Sequence, residues 1–210
     1  MYVIDPRDVR LPELLDSQGK FILRPSAYFE GLQPDALRIW CHQYSRYGVP
    51  TVELVWWLRH LIGTRFAIEI GSGCGDLASS LGIVATDNYQ QKDPVMQAYY
   101  ASLGQRTIDY PKWIEKLTAR AAIEKYKPEV VVGSWVTQLY KGDDPKVGAS
   151  VLGIDEEAIL DAGITYVVIG NQNVHGDKRI MTVPHQEFAF PFLRSRARYP
   201  EQDRIWIWNG

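Results

Sequence analysis

Apolar positions along the chain fall into two periods. Leu37, Trp40, Cys41 and Tyr44 lie on one face of a helix over 33–48, with Pro34 in its first turn and Gly48 as its stop. Leu54, Leu58 and Leu61 repeat the pattern over 51–61, ending near Gly63. From residue 66 the period shortens. Phe66-Ala67-Ile68-Glu69-Ile70 predicts a strand, 76–81 a short helix, and 82–87 a second strand. Asp93 and Pro94 open a helix whose buried stripe is Met96, Tyr99, Tyr100 and Leu103, with Gly104 ending it. A third strand is expected over 107–110, then a helix over 113–126 with Ile114, Leu117 and Ala121 inward and Pro128 closing it. The β-branched run 129–135 predicts a central strand buried on both faces. Asp155 caps a helix ending at Gly163, 165–170 is a fifth strand, and 187–193 with 204–208 alternate as an antiparallel pair. Strands and helices in alternation predict an α/β fold with a mostly parallel sheet.

Before residue 29 the pattern fails: Pro6, Pro12 and Pro25 are scattered through a stretch of little periodicity, read as an irregular arm on the main body. The chain of 210 residues buries one substantial core, so the expected organisation is an N-terminal arm with helices (1–62) packed on one α/β domain (63–210). A net charge of −2 gives no general attraction to nucleic acid, though a local basic face stays open. With no cleavable signal, no membrane-length apolar run, and Cys41 and Cys74 on separate segments, a reducing, cytoplasmic setting is expected, with no membrane partner. Oligomeric state is not legible. His42, His60, His175 and His185 show no metal-ligand spacing, so no metal is expected.

The candidate chemistry sits where the first strand turns into a helix. Gly71, Gly73 and Gly75 alternate with Ser72 and Cys74, and glycine lets a ligand lie against backbone N–H groups at a helix start. Asp87 follows at the end of the next strand, where a carboxylate can hold a ribose diol. The dinucleotide fingerprint needs its third glycine where Asp76 stands, and an acid there would repel a pyrophosphate.

The run Glu69-Ile70-Gly71-Ser72-Gly73-Cys74-Gly75 with Asp87 resembles the first two motifs of the class I S-adenosylmethionine-dependent methyltransferases. The resemblance extends from about residue 66 to the last strand. It implies a Rossmann-like, mostly parallel seven-stranded sheet with an antiparallel last strand and helices on both faces. It also implies S-adenosylmethionine as cofactor, Glu69 orienting the loop and the methionine end, and Asp87 on the ribose. The family's adenine acid is missing from Lys112-Trp113-Ile114 unless Asp109 or Glu115 supplies it, leaving Trp113 to stack on the base and Ile114 to pack beside it. The expected cofactor contacts are therefore Glu69, Gly71, Ser72, Gly73, Gly75, Asp87, Asn88, Trp113, Ile114, Ser134 and Trp135.

Gly133, Ser134 and Trp135 close the central strand, where ligand chemistry is expected in an open α/β sheet. Ser134-Trp135-Val136-Thr137 is neither the amino-directed DNA methyltransferase motif nor a Pro-Cys nucleophile, and it offers no metal-holding acid as in catechol-type enzymes. His175, just past the fifth strand, is the candidate base. Tyr44, Tyr47 and Trp57 are candidate substrate contacts or core, and Arg194, Arg196 and Arg198 form a basic cluster suited to a phosphate or to solvent. The expected activity is methyl transfer to a small-molecule acceptor. The alternative is a non-catalytic or partner-dependent nucleoside-binding protein that has kept the fold.

Overall fold

The computed structural model describes residues 9–33, 35–142 and 148–209. The start of the expected arm, Pro34 and most of the Gly142–Pro145 turn lie outside the described residues. The elements are α1 (Ser26–Glu30), α2 (Ala36–Gln43), α3 (Val52–Ile62), β1 (Ala67–Ile70), α4 (Asp76–Leu81), β2 (Val84–Asp87), α5 (Pro94–Ser102), β3 (Glu115–Lys116), α6 (Ala119–Tyr126), β4 (Val130–Ser134), β5 (Gln138–Leu139), β6 (Ala149–Ser150), α7 (Glu156–Asp161), β7 (Thr165–Asn171), α8 (Gln172–His175), β8 (Gln186–Phe188) and β9 (Asp203–Trp208).

Seven strands form one sheet in the order β3-β2-β1-β4-β7-β9-β8, and β5 pairs with β6 separately. β3, β2, β1, β4 and β7 are mutually parallel, while β9 runs antiparallel to both of its neighbours. This is a Rossmann-like sheet, as expected from the resemblance of the glycine loop, with its reversed strand β9 set between β7 and the edge strand β8. The order in which strands are added reverses between β1 and β4, which run parallel, and this opens a crevice at their carboxyl ends.

The two-residue period explains why both faces are covered. Val130, Val132, Val167, Ile169, Ile205 and Ile207 point to one side and pack with Leu54, Val55, Leu58 and Ile62 of α3. Val131, Tyr166, Val168, Trp206 and Trp208 point to the other and pack with Ala122 of α6 and Ile159 of α7. Continuous burial from Thr165 to Asn171 follows from helices on both sides.

Several expected elements differ. α2 stops at Gln43 rather than reaching Gly48, because Ser45 turns left-handed and its hydroxyl donates to Thr107 O at 2.9 Å. Residues 107–110 form no strand. Gln91 Oε1 takes the Ile108 N–H, Pro111 has no N–H to give, and the third strand is the two polar residues of β3 beside Thr86 and Asp87. The helix expected from 113 begins at Ala119, where Thr118 Oγ1 accepts from Ala121 N–H at 3.2 Å. α5 is capped by Asp93 as expected, but none of its residues is buried, and Tyr99 and Leu103 are 54% and 51% exposed. The tail strand expected over 187–193 shrinks to β8, with Phe188, Phe190 and Phe192 stacking in sequence against Trp57 and the α3 face.

Candidate functional site

A cavity of about 660 Å³ opens at the carboxyl ends of β1, β2, β4 and β7. Residues 71–74, Asp76, Asp87, Asn88, Ser134, Trp135, Val136 and Thr137 line it, together with Tyr47, Tyr100, Tyr110 and the segment 151–155. The volume is that of a cofactor-sized site.

The glycine loop is held open by its backbone. Gly71 and Gly75 have φ of 58° and 74°, and a Cβ would meet Val136 Cγ1 at 2.8 Å in the first case and the Trp113 ring at 2.5 Å in the second. Glu69 ties the loop to the helix that follows it: its Oε2 accepts from the Ala78 N–H in the first turn of α4 at 2.8 Å. Asp87 closes the other side, its two oxygens accepting from Gly73 N–H at 2.9 Å and Tyr89 N–H at 2.7 Å. The Tyr110 hydroxyl donates to the same carboxylate. A carboxylate has about four acceptor positions, so these three donors leave room for one hydroxyl, and for both hydroxyls of a diol only where Tyr110 gives way. Ser72 Oγ and Thr137 Oγ1 are buried in the lining with no partner among the described residues, the condition of groups that await a polar ligand.

Burial raises the Glu69 carboxyl from 4.5 to about 8, against the Ala78 N–H and with Asp76 and Asp87 adding to the rise. Between those values the folded chain holds a proton that the unfolded chain has released, so stability falls as pH rises through that window and levels above it. Glu69→Gln removes the slope. In equilibrium unfolding the variant should gain on the wild type steadily from pH 5 to pH 8, whereas a pH-independent difference would show Glu69 ionised throughout.

Asp76 does not stand as a bare charge in the loop. Arg46 Nε and Nη2 reach its carboxylate at 2.9 and 3.3 Å, and a third nitrogen is held by Tyr44 O. The repulsion expected of Asp76 toward a pyrophosphate is therefore largely neutralised, and the case against a dinucleotide rests on glycine spacing and strand order.

Trp135 has φ of 58°, a left-handed conformation costing about 1–3 kcal/mol in a bulky residue. It is pinned by its N–H on Ile169 O at 2.8 Å and by Gly48, where a Cβ would meet its indole nitrogen at 2.8 Å. Tyr47 faces its ring at a centroid distance of 6.3 Å. The opposite wall is a ribbon from the two ends of the chain: Val49 N–H donates to Arg194 O, and Arg196 N–H to Tyr47 O, at 2.8 and 3.0 Å.

Of the expected contacts, Glu69, Gly71, Ser72, Gly73, Asp87, Asn88, Ser134 and Trp135 line the cavity, while Gly75 supports it from behind. Asn88 is engaged across the mouth, its Nδ2 donating to Leu152 O at 2.8 Å. Three residues need correction. Trp113 is 53% exposed and lies against the back of Gly75, outside the lining. Ile114 is buried in a cluster with Ala78 and Ala85. His175 lies behind Trp135, its Nδ1 accepting from Asn171 N–H at 3.0 Å; burial and Lys178 push its pKa down to about 3, which unfits it as a base. Glu115 is committed to Lys125 and Tyr126 on the surface, so it is no adenine acid. Tyr44 packs with the α2 cluster and Trp57 with Phe188 and Phe190, leaving Tyr47 at the cavity.

Periodicity could not single out Arg46, Tyr110, Thr137 or Asp203, which reach the cavity from irregular segments or strand ends. Asp203 is a buried carboxyl whose pKa is raised by burial, against hydrogen bonds from Asn171 and Ser195. Among the described residues no group of side chains could hold a metal ion, and no helix is long and apolar enough to cross a membrane.

No protein-family model and no curated protein matches the chain. Solved structures similar to it include Thermoplasma acidophilum 1320, at 14% identity over 87% of this chain and 92% of that one, with a TM-score of 0.33. A second is SMU.776, a candidate methyltransferase complexed with SAH, at 6% identity over 71% of this chain and 47% of that one, with a TM-score of 0.33. A third is PH1948 from Pyrococcus horikoshii, a candidate RNA methyltransferase, at 11% identity over 84% of this chain and 96% of that one, with a TM-score of 0.34. At these scores none of the three places a residue of the cavity.

Proposed function

We propose that this chain is an S-adenosylmethionine-dependent methyltransferase acting on a small-molecule acceptor. One observation carries the reading: Gly71 and Gly73 of the loop, the Asp87 carboxylate and the Ser72 hydroxyl, which has no partner among the described residues, line one cavity at the switch point of the sheet. Glu69 and the Arg46–Asp76 pair border the amino-acid end, where Glu69 orients the loop through the Ala78 N–H. Asp87 takes the ribose. Ile108, Leu117 and Ile123 supply apolar surface for the base in place of Trp113 and Ile114.

The cofactor, when bound, supplies an activated methyl group on a sulfonium, so the protein's task is to hold the acceptor in line and keep water out. Ser134, Trp135 and Tyr47 form the wall where the acceptor docks. Where the acceptor atom must lose a proton, Asp203 is the carboxyl placed on that wall, in place of His175.

Differential scanning fluorimetry tests the cofactor. Saturating SAH raises the melting temperature, about 2.7 kcal/mol of stabilisation at a hundredfold excess over Kd, and NAD leaves it unchanged. The opposite ranking overturns the reading. Methyl incorporation from labelled S-adenosylmethionine into a metabolite extract then separates an enzyme from a protein that binds nucleoside without turnover.

A further inference from the structure

The acceptor wall continues into a second groove of about 1110 Å³ that shares Leu193, Arg194 and Asp203 with the cavity. Arg38, His42, Arg196 and Arg198 also face this groove. Arg38 is paired with Asp35 at 2.9 Å. Arg194 donates to the carbonyls of Pro191, Leu193 and Ser26 and lies 3.7 Å from Glu30. Arg196 and Arg198 form no ion pair among the described residues, and neither does Glu201 on the rim.

Arg196 is nevertheless held in place. Its guanidinium lies 3.8 Å over the Tyr47 ring, and one nitrogen donates to Gln105 Oε1 at 3.1 Å. A continuous line therefore runs from the strained end of β4 through Trp135 and Tyr47 to a fixed guanidinium with no counter-charge. Burial, with the charges of Arg196 and Arg38 adding to it, holds the neighbouring His42 below the usual imidazole range. Guanidinium groups without a carboxylate partner suit a planar, multidentate anion, and the Tyr47 and Trp135 side chains in the adjoining cavity lining suit an aromatic ring packed beside the pair.

Resting on the methyltransferase reading, we propose that the acceptor is an aromatic molecule with an anionic arm, its ring against Tyr47 and Trp135 and its phosphate or carboxylate on Arg196 and Arg198. Phosphate and carboxylate share this chemistry, and the probes distinguish them.

The test titrates SAH-loaded protein with phenyl phosphate, benzoate and phenol, followed by indole and arginine resonances in NMR. The anionic probes bind and shift the Trp135 indole and Arg196 signals, phenol binds about tenfold more weakly, and the tighter of phenyl phosphate and benzoate identifies the arm. Arg196→Gln and, at an exposed position that leaves Tyr47 untouched, Arg198→Gln each weaken the anionic probes while SAH affinity stays unchanged. Phenol binding as tightly as the anions, or undiminished phenyl phosphate binding in the double variant, overturns the proposal even though SAH still binds. If SAH fails to bind the wild type, the methyltransferase reading fails instead, and the same titration of the free protein still decides whether this groove takes an anion.

Discussion

Asp87→Ala abolishes the SAH-induced rise in melting temperature and weakens SAH binding at least about a hundredfold by calorimetric titration. The magnitude follows from what the carboxylate does. Each hydroxyl donating to a buried charged acceptor contributes about 1.5–3 kcal/mol, so two lost ribose contacts amount to two orders of magnitude or more. The free protein suffers as well. Asp87 is the acceptor for Gly73 N–H and Tyr89 N–H, and both are left unsatisfied in the loop, a loss of about 2–4 kcal/mol in denaturant unfolding. Asp87→Asn separates the two effects, because its remaining carbonyl oxygen keeps one backbone donor. An Asp87→Ala protein that binds SAH within about threefold of wild type would place the ribose elsewhere and remove the basis of the cofactor assignment.

Lys178→Met destabilises the chain by about 3–5 kcal/mol, measured by urea unfolding. Lys178 and Glu156 have side chains 1% and 2% exposed and meet at 2.7 Å. Burial pulls the Lys178 ammonium below its ordinary range, against the attraction of Glu156. Glu156 receives a second hydrogen bond from the Tyr166 hydroxyl at 2.7 Å, while its other oxygen has no partner among the described residues. Removing the ammonium leaves a buried charge with one donor. Adding Glu156→Gln neutralises that charge and keeps an acceptor for Tyr166, so Lys178→Met/Glu156→Gln recovers at least half of the loss. A double variant as unstable as the sum of its parts would mean that the pair acts through packing alone.

Much of the sheet was readable because its signals are local and redundant. The β4 and β7 runs are β-branched and bounded by caps, and the alternation in Tyr166–Ile169 and Ile205–Trp208 assigns opposite faces without ambiguity. β3 was missed because two polar edge residues, Glu115 and Lys116, carry no alternation, whereas 107–110 imitated a strand by alternating Ile108 and Tyr110, both cavity lining, with polar residues. α5 misled in a different way: its caps are local and correct, but the burial of Tyr99 and Leu103 depends on a neighbour that the fold does not provide. At the candidate site, residues fixed by backbone geometry, such as Gly71 and Asp87, followed from spacing. Trp113 and Ile114 did not, because the side on which they emerge is set by the turn before β3. The Arg46–Asp76 pair spans thirty residues and has no sequence signature at all.

The ribbon joining Gly48 to Ser195 also bears on how the molecule assembles. The parallel strands that carry the glycine loop and Asp87 are built within one stretch of chain, but the opposite wall exists only after segments from the two distant ends of the sequence have met. Closing so long a loop costs entropy before any contact repays it. The wall that carries the glycine loop and Asp87 thus has fewer prerequisites than the wall built from 47–49 and 194–196, and sequence changes in either of those two segments act first on the latter.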